Sequence, residues 1–251
     1  MGDIFNIFKD NLPLLLVGQY PYGPLGGLAM TLIVSVAGIV LAFPLSVLMA
    51  MAMVSPWRAL RLPVQALVAV LRGVPLIMFI FWVYFLVPLV IGSSISGATT
   101  MLVTLVFYQA AYLAEIVRAG IQGLPRGQME ASRALGMSYI QTSFKVILPQ
   151  ALFNMIPSMI GQFVSTIKET SLGYVISMNE LTFAANQINN QLLTKPFEVY
   201  FILAAMYFLL CFTLTSFARW LEKRIANRRA GVTAATNSAE TPPVASIANA
   251  D

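Results

Sequence analysis

Apolar positions along the chain come in long unbroken runs rather than in the three-four stripe of a soluble helix. Crossing a hydrocarbon layer about 30 Å thick takes roughly 20 apolar residues in a helix. Five stretches meet that length, at about 25–54, 64–91, 100–121, 149–176 and 197–221. Pro44 lies inside the first, where neighbouring helices can re-satisfy the carbonyl that a proline frees. The second carries Arg72, Gly73 and Pro75 near its start, a place for the helix to bend. A small, uncharged turn with Gly92 and Gly97 separates it from the third. The expected fold class is therefore all-α, a polytopic integral membrane protein with five transmembrane helices.

The flanking segments differ from the spans and from one another. Residues 1–24 carry Asp3, Lys9 and Asp10, and their apolar run is short with no convincing cleavage site. They read as an external or interfacial segment leading into the membrane at an angle. Residues 223–251 begin with Lys223, Arg224, Arg228 and Arg229 and continue in Ala, Thr, Ser and Pro, a composition expected to stay disordered. Segment 125–148 is too polar to be a span.

Charge orients the five spans. Of 251 residues, 58% are apolar and 10% charged, with a net charge of +5. Arg58, Arg61, Arg126, Arg133, Lys145 and the basic group after 222 fall in the segments after spans one, three and five, whereas the other side has Lys9 and Lys195. Cytoplasmic loops collect Lys and Arg, so the N-terminus is expected outside and the C-terminus inside. Basic residues set beside apolar runs point to membrane lipid as a partner and not to nucleic acid. The chain has no histidine and one cysteine, Cys211. A histidine-based zinc or acid–base site and an internal disulfide are thereby excluded. None of the five lysines is followed by Ser or Thr, which excludes a P-loop. The chain is expected not to be an enzyme and to hold no cofactor.

The most informative segment is PRGQMEASRALGMSYIQTSFKVILPQA, starting at residue 125. It reads as two short helices, the first stopped by Gly136 in a left-handed conformation, the second started by a Ser138–Gln141 capping box. Such a pair either lies on lipid headgroups or docks on a partner. Glu130-Ala131-Ser132, Gly136 six residues after the glutamate, and Leu148-Pro149 resemble the EAA loop of permease subunits of binding-protein-dependent ABC importers. AAYLAEIVRAGIQGLPRGQMEASRALGM and LRGVPLIMFIFW at 71–82 resemble the polar amino acid branch of that family. Ser132 departs from the usual second alanine.

The resemblance implies a permease subunit in the cell inner membrane, importing polar amino acids with ATP hydrolysed by cytoplasmic ABC ATPase subunits. It further implies a second permease, identical or related, and an external amino-acid-binding protein. Loop 125–148 would seat in the ATPase, with Glu130, Ala131, Gly136, Leu148 and Pro149 as the coupling residues. The rival reading is a channel-like or scaffold subunit, independent of ATP, whose amphiphilic loop is bound to lipid.

Ionisable groups within spans mark candidate pathways. In span four, Gln162, Ser165, Thr166, Glu169 and Gly173 recur at helical spacing and form one stripe, opposite Ile160, Phe163, Val164, Ile167 and Tyr174. Such a stripe binds helices together or lines a wet cavity; a carboxylate with no cation three or four residues away favours the cavity. In span three, Tyr108, Tyr112, Glu115 and Gln122 share a face, and Arg118 is placed to pair with Glu115. Arg72 either meets substrate or reaches the interface. The candidate substrate contacts are thus Gln162, Ser165, Thr166, Glu169, Arg72 and Glu115; by resemblance, Gln162, Thr166 and Glu169 lie at the family's substrate pocket.

Overall fold

The structure, a computed structural model, describes the backbone of residues 2–240 and the side chains of 3–224. Eleven α-helices are numbered here in chain order, and apart from an isolated bridge between Gly18 and Leu25 the described residues contain no strand pairing. Two helices pack at the centre, α3 (Gly27–Val54) and α6 (Gly97–Gln122). On α3 the residues Thr31, Ser35, Gly38, Ala42, Ser46, Met49 and Met53 are buried, while Ile33, Val36, Val40 and Leu48 face outward. Small and hydroxylated side chains face the protein and large apolar ones the outside, as expected where lipid is the solvent and close helix approach drives association. A Cβ added at Gly38 would stand 3.3 Å from Leu105 Cβ of α6. The buried hydroxyls fold back on their own helix: Ser35 donates to the Thr31 carbonyl at 2.6 Å and Thr104 to that of Thr100 at 2.8 Å.

The second expected span is not one helix. It divides into α4 (Arg58–Gly73) and α5 (Leu76–Ile91), bent by 103° at the break. Pro75 brings no N–H to the ladder and drives Val74 out of the helical region, where its ψ is 133°. Helix α4 also starts six residues before the expected boundary, taking in Arg58 and Arg61. Among the described residues, four helices are long and apolar enough to cross a membrane, or five if the bent pair forms one span.

Span four also differs from its expected form. The second short helix of the loop, α8 (Tyr139–Thr142), runs through a π-helical turn at Ser143–Ile147 directly into α9 (Leu148–Glu169). Residues Thr170–Ile176 then tighten into a 3₁₀ turn, so Gly173 leaves the α-helical stripe on which even spacing had placed it. After it, α10 (Leu181–Leu192) packs with the N-terminal helices α1 (Gly2–Asp10) and α2 (Leu12–Val17) against α11 (Pro196–Glu240), around Leu15, Leu181, Ile188 and Val199. Lys195 and Asp3 form an ion pair of 3.1 Å there. Helix α11 continues past 222, where disorder was expected, because Glu222, Lys223 and Arg224 are good helix formers and nothing interrupts them. The rest of the expected tail, from 241 onward, lies outside the described residues.

Candidate functional site

The stripe on α9 turns toward α6, and one residue of α6 that sequence reasoning passed over joins its members. Gln109 is fully buried. Its carbonyl oxygen accepts from Gln162 Nε2 at 2.6 Å, and its own Nε2 donates to Glu169 Oε2. Thr166, also fully buried, donates to the Gln162 carbonyl at 2.9 Å. Ser165 and Glu169 are half-buried. The carboxylate, with no cation three or four residues away on its own helix, takes an amide donor from another span 60 residues earlier. Part of the stripe therefore does bind helices together. A glutamine suits this position because its amide accepts from one neighbour and donates to the other at once. The signal in the sequence was an amide in an otherwise apolar run, between Tyr108 and Ala110.

Arg72 and Glu115 form a second cluster, about 9 Å further along α6 at 1.5 Å per residue. Glu115 pairs with Arg72 at 3.3 Å and with Arg118 at 2.6 Å. Arg118 reaches on to Gln122 Oε1 at 3.1 Å. The Arg72 guanidinium sits 5.3 Å from the centre of the Tyr112 ring, whose hydroxyl is 3.2 Å from that of Tyr108. Arg72, Glu115 and Arg118 meet each other, so the six candidate contacts fall into two groups, with Tyr108 between them: its hydroxyl adjoins that of Tyr112, and it lies close enough to Glu169 to feel its charge.

A third buried acid, Glu180, was also missed. It caps α10: Oε2 accepts from the Thr182 amide and Oε1 from the Phe183 amide, both at 2.8 Å, and Tyr207 donates to Oε2 at 3.0 Å. Burial pushes its pKa up to about 7 even though these hydrogen bonds pull it down. The available sign was a carboxylate just ahead of Leu-Thr-Phe, an N-cap position.

At the other end of the bundle, α7 (Arg126–Ala134) is closed by a complete Schellman motif. Gly136 has φ +84°, its amide donates to the Arg133 carbonyl at 3.0 Å, and the Met137 amide donates to that of Ser132 at 3.2 Å. The capping box follows: the Gln141 amide donates to Ser138 Oγ at 3.2 Å, and the Ser138 amide to Gln141 Oε1 at 3.0 Å. Glu130, Ala131 and Gly136 are exposed. Leu148 instead is buried in the cluster formed by α3 and α6, and Pro149 lies in the first turn of α9. Cavities of about 580 and 460 Å³ flank α7; the larger is bounded by Met53, Arg61, Gln122, Met129 and Tyr139, the smaller by Leu124, Arg126 and Glu130.

Comparison with known proteins assigns this architecture. Residues 42–227 match the family of binding-protein-dependent transport system inner membrane components. The chain is 36% identical over 81% of its length to the inner membrane amino-acid ABC transporter permease protein YhdY of Escherichia coli (strain K12), and spans 57% of that relative. It is 34% identical over 79% of its length, and 91% of the relative's, to the probable glutamine ABC transporter permease protein GlnP of Bacillus subtilis (strain 168). A crystal structure of an amino acid ABC transporter with histidines is 30% identical, with a TM-score of 0.76 over 88% of this chain and 98% of that one. The chain belongs to the family of binding-protein-dependent transport system inner membrane components, as a multi-pass membrane permease of the amino-acid ABC transporter type.

Proposed function

We propose that this permease imports polar amino acids using ATP hydrolysed by separate ATPase subunits that grip its 125–148 loop. The observation that carries this reading is the loop's form. The turn after helix α7 is fixed by local caps, yet the segment presents Glu130, Ala131, Arg133 and Leu135 outward and is flanked by open volume. A rigid exposed helix with 83% of Leu135 uncovered fits a protein groove. Arg61 and Met129 border the same cavity, so the basic segments after spans one and three share an end of the bundle. That placement supports a cytoplasmic loop, with the N-terminus outside.

For the substrate, the relatives named for glutamine and for glutamate and aspartate support a small polar amino acid. The Gln109–Gln162–Glu169 network, which offers amides and a carboxylate from two helices, supports this reading as the partner of such a zwitterion. In this reading Glu169 receives the ammonium while Gln109, itself held by Gln162, keeps the carboxylate in place. An external binding protein delivers the substrate, and a second permease covers the exposed side of α9.

Glu130→Lys in the loop is expected to lower co-purification of the ATPase and abolish uptake in vesicles containing the binding protein. Undiminished, ATP-dependent uptake by that variant would refute docking through this loop. Uptake that continues with no ATPase present would establish the channel-like alternative.

A further inference from the structure

Helix α3 ends at Val54, and the carbonyls of its last turn have no partner within the helix. Side chains from two other elements take two of them. Gln65 Nε2 of α4 donates to the Met53 carbonyl at 3.4 Å, and Tyr139 Oη donates to the Val54 carbonyl at 3.0 Å. Tyr139 is the first residue of α8, 85 positions from Val54, and its ring borders the 580 Å³ cavity. Helix α7 packs on α8 and on the π turn at Ser143–Ile147, with the two cavities between it and the ends of the spans. A force applied to α7 enters the bundle directly at α6, through residues 123–125, and beyond its own C-terminus by way of α8. Along the chain it passes through the π turn into α9; across space it passes from Tyr139 to the end of α3, and α3 is packed along α6, which holds Gln109.

We infer that Tyr139 is a positioning residue for coupling: its hydroxyl ties the start of α8 to the C-terminal carbonyl of α3, so that movement of the 125–148 loop carries span one along with span four. This rests on the coupling reading of that loop. The π turn suits the arrangement. It inserts a wider turn immediately after α8, a local irregularity that helices commonly place at functional joints. The Tyr139 contact adds to these chain connections a direct route from α8 to the end of α3.

The test uses the full transporter, co-purified with its ATPase and reconstituted with the binding protein, with a radiolabelled mixture of the common amino acids as probe. Tyr139→Phe keeps the ring and removes the donor. It should leave ATPase association unchanged, lower the melting temperature no more than Gln65→Met does, and reduce solute moved per ATP hydrolysed by roughly fivefold, the factor one net hydrogen bond supplies. Gln65→Met removes the neighbouring cap, which does not reach the loop, and should leave that ratio unchanged. An equal fall in both variants, or an unchanged ratio in Tyr139→Phe, overturns the inference.

A second measurement does not depend on that variant folding. In a Cys211→Ser background, cysteines at 54 and 139 joined by a short bis-methanethiosulfonate cross-linker should sustain transport, because the two positions move as one body; transport blocked by the link overturns the inference. Failure of the coupling reading itself is seen separately: Glu130→Lys would then leave ATPase association and uptake intact, whatever Tyr139→Phe does.

Discussion

The middle of the bundle and the 125–148 end are built on opposite terms. In the middle, Gln109, Thr104 and Thr166 are fully buried, and each has a hydrogen-bond partner at close range. At the loop end, α7 is exposed and bordered by cavities of about 580 and 460 Å³, and one of its few ties to the spans is a single tyrosine hydroxyl relayed through α8. A buried polar network whose members are all paired specifies one arrangement, since any alternative strands a donor or acceptor. Helix α7 is capped only at its C-terminal end and keeps most of its residues on the outside. The contrast sets paired, buried groups where spans three and four meet against an exposed helix with open volume beside it.

The largest expected effect comes from making the exposed end lose its shape. Nothing lies within 4 Å of where a Cβ at Gly136 would stand, so a side chain there meets only the backbone conformation, φ +84°. A β-branched residue is strongly disfavoured in that region. Gly136→Val should destabilise the Schellman turn by about 1–2 kcal/mol and lower uptake at least roughly tenfold, while thermal unfolding of the spans in detergent stays near that of the parent. A parallel fall in span stability would show that the loop and the bundle are one cooperative unit.

Breaking the paired region should do the reverse. Gln109→Leu leaves the Gln162 donor and the Glu169 carboxylate unpaired inside the bundle. Each stranded group costs about 1–3 kcal/mol, so the melting temperature in detergent should drop by several degrees with ATPase association preserved. No change in melting would mean that water already serves these groups.

These two residues also mark what could be read in advance. Gly136, Ser138 and Gln141 were legible because the Schellman turn and the capping box are local: donor and acceptor lie within five residues, and the residue types alone imply the geometry. The spans were legible because burial in lipid demands apolar length. Gln109 was not, since its meaning lies in Gln162 and Glu169, 53 and 60 positions away. The break at Pro75 was visible, but its 103° angle depends on how α4 and α5 pack on α3 and α6, which no local pattern records. Glu180 drew no reading, because its burial follows from α1, α2 and α11 closing over α10, which nothing local in the sequence records.

Glu180 extends the comparison to the connector, with an effect smaller than that at Gln109. Its folded pKa of about 7 lies above the reference 4.5, chiefly through burial. The folded state then holds a proton that the unfolded state has released, so the stabilising contribution is fully present below about pH 4.5 and is lost as pH rises through about 7. Melting temperature should fall between pH 5 and pH 8, and Glu180→Gln should flatten that slope. A slope that survives the substitution would place the titrating group elsewhere.

The smallest effect is expected at Glu115, although it makes the most ion pairs. Its side chain is 24% exposed, that of Arg72 41% and that of Arg118 30%. Partly exposed pairs are screened and typically contribute no more than about 1 kcal/mol, and on loss of the carboxylate both guanidiniums can turn to water. Glu115→Gln should therefore change the melting temperature by a degree or two at most. Uptake then separates the two roles left to this cluster. If Arg72 serves only the ion pair and the Tyr112 ring, transport is unchanged; if it meets the substrate carboxylate, releasing it from Glu115 alters the apparent affinity without altering the maximal rate. A fall in maximal rate at unchanged stability would instead place Glu115 among the contacts that move in transport, along α6 toward Gln109.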